Sequence, residues 1–497
     1  MPPKKQTKKQ TKKKTKTEVL KLDTFTNGLK YYIEEYNLTS STSVVFMIKT
    51  GSINDGKHTG LAHLLEHMLF TGNKNNPGES IFKENIVKDG NYVNGATGYE
   101  TTSYYIKGHP SKLISNIRKI AEIIKTSNID DYQLEGEKNV VFNEMNIGKD
   151  DNNRYFNRLS MCDLYKNSLY SNIGIGNEKT LKNIEKHHLL AYIKSQYIAS
   201  NCIIGIKGKL NYNVNKILNV LKEEFDIKNL FSYYNMESTH LKFANYMKEY
   251  KYFNKYNKNI NNDKLRKNIK YNWGFTSIEK RDINQTYINI KFSGFQLIDN
   301  NNISKNKTIM KIIKNYLSFG LSGMLKQKLR SENKLIYTIK IYNSDYSYNG
   351  FLNINYSITP SSGSSSSCTN VEKSLCLIFE TLKELKEKEL NDKVLKDVIK
   401  RYYLKKIITD KDVLNNLIED SEEYLFANLN SNYYKNEIKQ KTTQSTKSIS
   451  SLTKLNNIKP TEIKQLATEI FNKDKMHLFI VSPVKVKLNF NNIKNQL

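Results

Sequence analysis

Within this 497-residue chain, His63-Leu64-Leu65-Glu66-His67 combines side-chain types that can do hydrolytic chemistry. The motif lies between Gly60 and Phe70, in an apolar run without internal Gly or Pro that favours a helix. Residues four apart on a helix share a face, so both imidazoles can reach one point. Two neutral imidazoles at that spacing make half of a tetrahedral zinc site, and Glu66 is close enough to reach a water on the metal. The chain has only eight histidines. Two core histidines beside a solvated glutamate would give the same five letters. Burying them unpaired among Leu, Met and Phe would be costly, however, and a metal removes that cost.

A hydrolytic zinc site needs a third protein ligand and one position left for water. The stretch Glu135-Gly136-Glu137-Lys138-Asn139-Val140-Val141-Phe142-Asn143-Glu144 offers Glu137 and Glu144. They are seven residues apart and share a helical face two turns apart. One can bind the metal while the other supports the residues around it.

With both segments in view, the chain resembles the family of pitrilysin, insulin-degrading enzyme and the mitochondrial processing peptidases. That family carries His-x-x-Glu-His and, well downstream, Glu-x6-Glu. In length the chain is nearest the short, processing-peptidase-like members. Thr26-Asn27-Gly28-Leu29-Lys30 and Lys49-Thr50-Gly51-Ser52 resemble the family's opening strands, and Phe70-Thr71-Gly72 follows the motif as it does there. Asn94-Gly95-Ala96-Thr97, continuing to Glu100, Thr102 and Tyr105, resembles its substrate-pairing strand. Leu329-Arg330-Ser331-Glu332-Asn333-Lys334-Leu335-Ile336-Tyr337 resembles a segment of its second domain. The resemblance implies His63, His67 and Glu144 as ligands of one Zn2+ per chain, Glu66 as general base and Glu137 as their support. It implies Asn94, Ala96, Arg330 and Tyr337 as substrate-binding residues. It further implies an α+β fold of two like-folded halves. Each would be a mainly antiparallel sheet with long helices packed on it, the two closing as a clamshell around a chamber. The implied activity is a zinc-dependent endopeptidase acting on short or unfolded polypeptides, as a monomer or as a homo- or hetero-dimer. Gly95 departs from the family, where Ala is common, and is expected to loosen the strand and widen the adjacent pocket.

These residues must be positioned by a sizeable scaffold. Charged residues are 26% and hydrophobic ones 38% of the chain, which fits a globular protein of two to four domains. No run approaches the roughly 18 apolar residues of a membrane span. The N-terminus lacks the apolar segment of a secretory signal. Cys162, Cys202, Cys368 and Cys376 include no Cys-x-x-Cys pair, which fits a reduced, intracellular and cytoplasmic setting. A mitochondrial presequence fits poorly, because the N-terminal stretch has no arginine and no amphipathic pattern.

The formal net charge is +29, and residues 1–17 hold eight lysines without an acid. That tail is expected to be disordered, as a solubilising arm or a nucleic-acid or nuclear-import patch. The expected organisation is this tail, a zinc-bearing domain over 18–226, a low-complexity linker or insertion over 227–272 and a second domain over 273–497. Val44–Ile48, Gln285–Phe292 and Lys475–Val481 read as strands. Leu113–Thr126, Ile184–Tyr197, Val371–Leu390, Asn391–Ile407 and Leu414–Ala427 read as helices. Ser361–Ser367 reads as a polar loop. His58 reads as a cap on the motif helix, and His187 and His188 as surface groups. His109, His240 and His477 have no acidic or sulfur partner at ligand spacing. Two rival functions share this sequence: a non-catalytic processing-peptidase-like partner subunit, and a basic nucleic-acid-binding protein on a peptidase fold.

Overall fold

Two β-sheets, one from each half of the sequence, organise the molecule. A computed structural model describes residues 20–235, 269–295, 303–359, 364–409, 413–427 and 455–497, apart from positions 167, 173 and 348. The Lys-rich tail, most of the 227–272 segment and His240 lie outside the described residues. The first sheet contains β1 (Leu20–Thr24), β2 (Lys30–Glu35), β3 (Thr42–Ile48), β4 (Tyr92–Thr97), β5 (Thr102–Gly108) and β6 (Cys202–Gly208). Its spatial order is β1-β2-β6-β3-β5-β4. The second contains β7 (Gly274–Glu279), β8 (Thr286–Ser293), β9 (Ile336–Asp345), β10 (Gly350–Ile358) and β11 (Met476–Ser482), in the order β7-β11-β8-β10-β9.

Apart from β1, the two sheets share one topology. In each, the first strand pairs in parallel with the last, and every other pairing is antiparallel. The second strand then lies next to the last, the fourth next to the second, and the third forms an edge. The two halves are therefore alike in fold although their sequences barely repeat, and the α+β architecture expected from the sequence is present.

Every residue of β3, β6 and β11 is buried, so both faces of these strands are covered. Side chains alternate between the faces. Val44, Phe46 and Ile48 enter a core built with the first half's own helices, among them Leu61–Met68, Leu113–Thr126, Lys186–Gln196 and Val214–Phe225. Val45 and Met47 face the other way, together with Tyr105 and Ile203. What covers that second face comes from the opposite half of the chain. Helix Val413–Phe426 lays Leu414, Leu417, Tyr424 and Leu425 on it. Gly205 of β6 allows this approach: a Cβ there would meet Ser421 Oγ at 2.5 Å and Leu417 Cδ1 at 2.9 Å. The buried Lys207 Nζ binds Asp420 of the same helix at 2.7 Å and Glu34 at 3.2 Å.

The exchange is reciprocal. Helix Asn152–Leu164 of the first half puts Phe156 among Ile283, Tyr287, Phe479 and Val481 of the second sheet. Lys291, fully buried in β8, donates to Ser160 of that helix at 2.6 Å. Each half thus completes the other's packing.

Three expected element boundaries move. The helix expected over Val371–Leu390 runs over Ser364–Glu387, so it begins inside the serine run expected as a loop. Serine is well tolerated in a helix's opening turn, where its hydroxyl can meet unpaired backbone N–H groups. The helices expected from Asn391 and Leu414 are Asp392–Thr409 and Val413–Phe426. Among the described residues, no helix is long and apolar enough to cross a membrane.

Candidate metal centre

The motif forms helix Leu61–Met68. Leu61, Leu64, Leu65 and Met68 recur at helical spacing and are fully buried in the first core. Such burial stabilises by roughly 1.5–3 kcal/mol per side chain and fixes which way the opposite face points. His63 and His67 emerge on that face with ring centroids 4.8 Å apart. The helix start is held by Asp55, whose carboxylate accepts from the Gly60 N–H at 2.7 Å and the Ala62 N–H at 2.9 Å. Burial pushes the Asp55 carboxyl up to about 8, although those N–H groups oppose the rise.

Glu137 and Glu144 lie on helix Asp131–Asp150, which packs against the motif helix. Its N-terminus is capped by Asp130, which accepts from the Gln133 N–H at 2.9 Å. Glu144 Oε2 is 3.6 Å from His63 Nε2 and 3.6 Å from His67 Nε2. One ligand atom from each of His63, His67 and Glu144 lies within 4.8 Å of the other two. Among the described residues, no other group of three such side chains converges in this way. Tetrahedral zinc ligands at about 2.1 Å from the metal stand roughly 3.4 Å apart. The two His–Glu separations are therefore close to what a shared ion requires, and the donor set fits zinc. Glu137 Oε2 accepts from His67 Nδ1 at 3.1 Å, which directs the Nε2 lone pair toward the shared point.

The electrostatics fit the same reading. Burial and the neighbouring His67 push His63 down to about 4. Burial also works against a charge on His67, but the Glu137 and Glu144 carboxylates outweigh it and raise His67 to about 9. His67 in turn holds Glu144 down at about 2. One positive charge thus satisfies acids that surround two imidazoles, and a divalent cation would serve all of them.

Glu66 projects beside this group, buried. Its Oε2 accepts from Thr97 Oγ1 of β4 at 2.6 Å, leaving Oε1 for another proton carrier. Burial raises the Glu66 carboxyl, and the Thr97 hydrogen bond partly opposes the rise. Gly95 sits against the same side chain: a Cβ there would meet Glu66 Oε1 at 2.6 Å. The missing side chain therefore makes room for Glu66 itself, rather than widening a substrate pocket as the sequence led one to expect.

β4 is an edge strand with alternating exposure. Gly95 and Thr97 face Glu66, so Asn94 and Ala96 lie on the opposite, exposed side of the strand. The Asn94 side chain accepts from the Gly95 N–H at 2.9 Å. Arg330 and Tyr337 come together at the start of β9, with the guanidinium 4.7 Å from the ring centroid. Among the described residues, no hydrogen bond or ion pair links either of them to His63, Glu66, His67 or Glu144.

Two histidines lie in settings other than those expected from sequence. His188 is buried, not on the surface, with its ring tilted against those of His58 and His187 at centroid distances of 4.1 and 4.0 Å. His477 is buried 3.3 Å from Asp163 Oδ2, an acid more than 300 positions away in sequence and brought there by the exchanged helix. Thr97, Asp55 and Arg154, which lies 3.5 Å from Glu144 Oε1, belong to the site but were not singled out from sequence. Only for Asp55, an acid shortly before a helix start, was there a local signal.

Comparison with known proteins bears on the family and the fold. Residues 31–173 match the family model described as Insulinase (Peptidase family M16), and residues 237–402 match that of the Peptidase M16 inactive domain. An uncharacterized zinc protease of Rickettsia felis is 23% identical over 338 residues, which cover 68% of this chain and 73% of that protein. The mitochondrial-processing peptidase subunit beta of Caenorhabditis elegans is 26% identical over 192 residues, 38% of this chain and 41% of that protein. The match thus spans less than half of the latter relative. A protease from Helicobacter pylori has a similar fold, with TM-score 0.68 and 17% identity over 94% of this chain and 100% of that one. An M16 inactive-domain peptidase structure from Pseudomonas fluorescens gives TM-score 0.71 and 14% identity over 94% and 99%.

Proposed function

This chain belongs to peptidase family M16, the pitrilysin family, and from that premise we propose that it is a zinc-dependent endopeptidase acting on short or unfolded polypeptides. The observation that carries the proposal is the convergence of His63, His67 and Glu144 with Glu66 beside them. When bound by those three side chains, zinc supplies Lewis acidity to water and to a peptide carbonyl.

The remaining work falls to the chain. Glu137 fixes the His67 ring so that Nε2 faces the shared point. Thr97 fixes one oxygen of Glu66, so the other takes the proton of the attacking water and later passes it to the departing amine. Burial of Glu66 keeps it a stronger base than an exposed carboxylate. The unpaired edge of β4 can accept an extended peptide as an added strand, with Asn94 and Ala96 on its exposed side. Arg330 and Tyr337 would serve as further substrate contacts from the second half.

Glu66→Gln tests the mechanism, because it keeps the side chain's shape and removes its basicity. Cleavage of a mixed peptide pool should fall by on the order of a thousandfold while zinc content stays that of the wild type. Undiminished turnover would remove Glu66 from its role.

A further inference from the structure

The exchanged helix Asn152–Leu164 starts beside the metal centre and carries two cations that the hydrolytic steps above do not use. Arg154 Nη2 is 3.5 Å from Glu144 Oε1, yet 51% of its side chain is exposed. Arg158 follows four residues later, on the same helical face, and is half-buried. It interacts electrostatically with Tyr99, two residues beyond β4, and with Cys162 on its own helix. Glu144, which Arg154 meets, is already shared between two imidazoles.

This pairing is poor for folding and poor for holding a metal. Like charges four apart weaken a helix. A guanidinium beside a carboxylate ligand competes with the metal for its charge. The opposite face of the helix, with Phe156 and Ser160, is committed to the second sheet. The arginines therefore remain on the side of the metal centre, near a helix start that Asp151 caps by accepting from the Arg154 N–H at 3.1 Å. A carboxylate placed against the two guanidinium groups would pair with both. Guanidinium groups bind carboxylates through paired, charge-assisted hydrogen bonds.

We propose that Arg154 and Arg158 form a cationic subsite at the edge of the hydrolytic centre, selecting peptides that present a carboxylate next to the scissile bond. The inference rests on the peptidase reading above. The carboxylate can be an Asp or Glu side chain or a free C-terminus.

The test uses the full chain supplied with zinc and peptides that differ at one position beside a mapped cleavage bond. That position is Asp, Asn or Lys, each with a free or amidated C-terminus. Peptides with the carboxylate should show kcat/KM on the order of tenfold or more above their neutral counterparts, with Lys the poorest. Raising the salt should shrink that ratio. A preference that survives amidation assigns the side chain, and one that disappears with amidation assigns the terminus; both support the subsite. Equal rates across the whole set overturn it. Arg154→Glu with Arg158→Glu should shift the order toward Lys, and an undiminished Asp preference in that folded, zinc-loaded double variant also overturns it. Should the double variant not fold, the wild-type series decides alone. Fluorescence anisotropy of the same peptides on zinc-loaded Glu66→Gln separates the two claims. If the wild type cuts no peptide, the peptidase reading fails. Tighter binding of the carboxylate peptides then still supports the subsite, and equal binding overturns it.

Discussion

Glu66 is confined on two sides by one strand: Thr97 holds one of its oxygens, and the backbone at Gly95 leaves the space its carboxylate occupies. Gly95→Val tests whether that confinement matters. Valine suits a strand, so β4 should persist, but its side chain must displace Glu66. Turnover should fall by on the order of tenfold or more with zinc content and melting temperature retained. Unchanged turnover would show that Glu66 tolerates displacement. At this scale much was legible. His63, Glu66 and His67 are close in sequence, and helical geometry alone puts them together. Glu137 and Glu144 are distant, yet their own spacing fixes a shared face, and the family resemblance joined them to the motif. Thr97 and Arg154 were not legible, because tertiary packing alone brings them to Glu66 and Glu144.

The exchanged helices act at the scale of elements. Val413–Phe426 is tied to the first sheet by Lys207, which serves both Glu34 and Asp420. Its side chain is only 11% exposed, and Glu34 only 6%. Lys207→Met removes the cation that the two acids share, one of them well buried, and should cost about 3–5 kcal/mol in denaturant unfolding monitored by circular dichroism. A loss below about 1 kcal/mol would mean that the exchange is held by Leu414, Leu417, Tyr424 and Leu425 alone. The sequence displayed an amphipathic pattern over Leu414–Ala427 and so its burial. It could not display which sheet is buried, since periodicity defines an apolar face but not its partner. The continuous apolar runs of β3 and β11 carried a related hint: strands covered on both faces need a second layer.

At the scale of the whole molecule, the repeated strand order makes two like halves, and the exchange makes each incomplete alone. Residues 1–226 expressed alone should expose the Val45–Met47–Ile203 face and bind a hydrophobic dye such as ANS. Co-expression with residues 227–497 should suppress that binding and restore a cooperative melt. A fragment that melts cooperatively without dye binding would contradict reciprocal completion. Arg154, which stands beside Glu144, lies on the helix that packs against the second sheet. The account as a whole turns on one ion shared by residues from two helices of the first half. Its most direct test is zinc per chain by elemental analysis, in wild type and in Glu144→Gln. The prediction is about one zinc in the wild type and a loss of most of it in the variant, with the fold intact. Stoichiometric zinc retained by Glu144→Gln, or none in the zinc-supplied wild type, would contradict it.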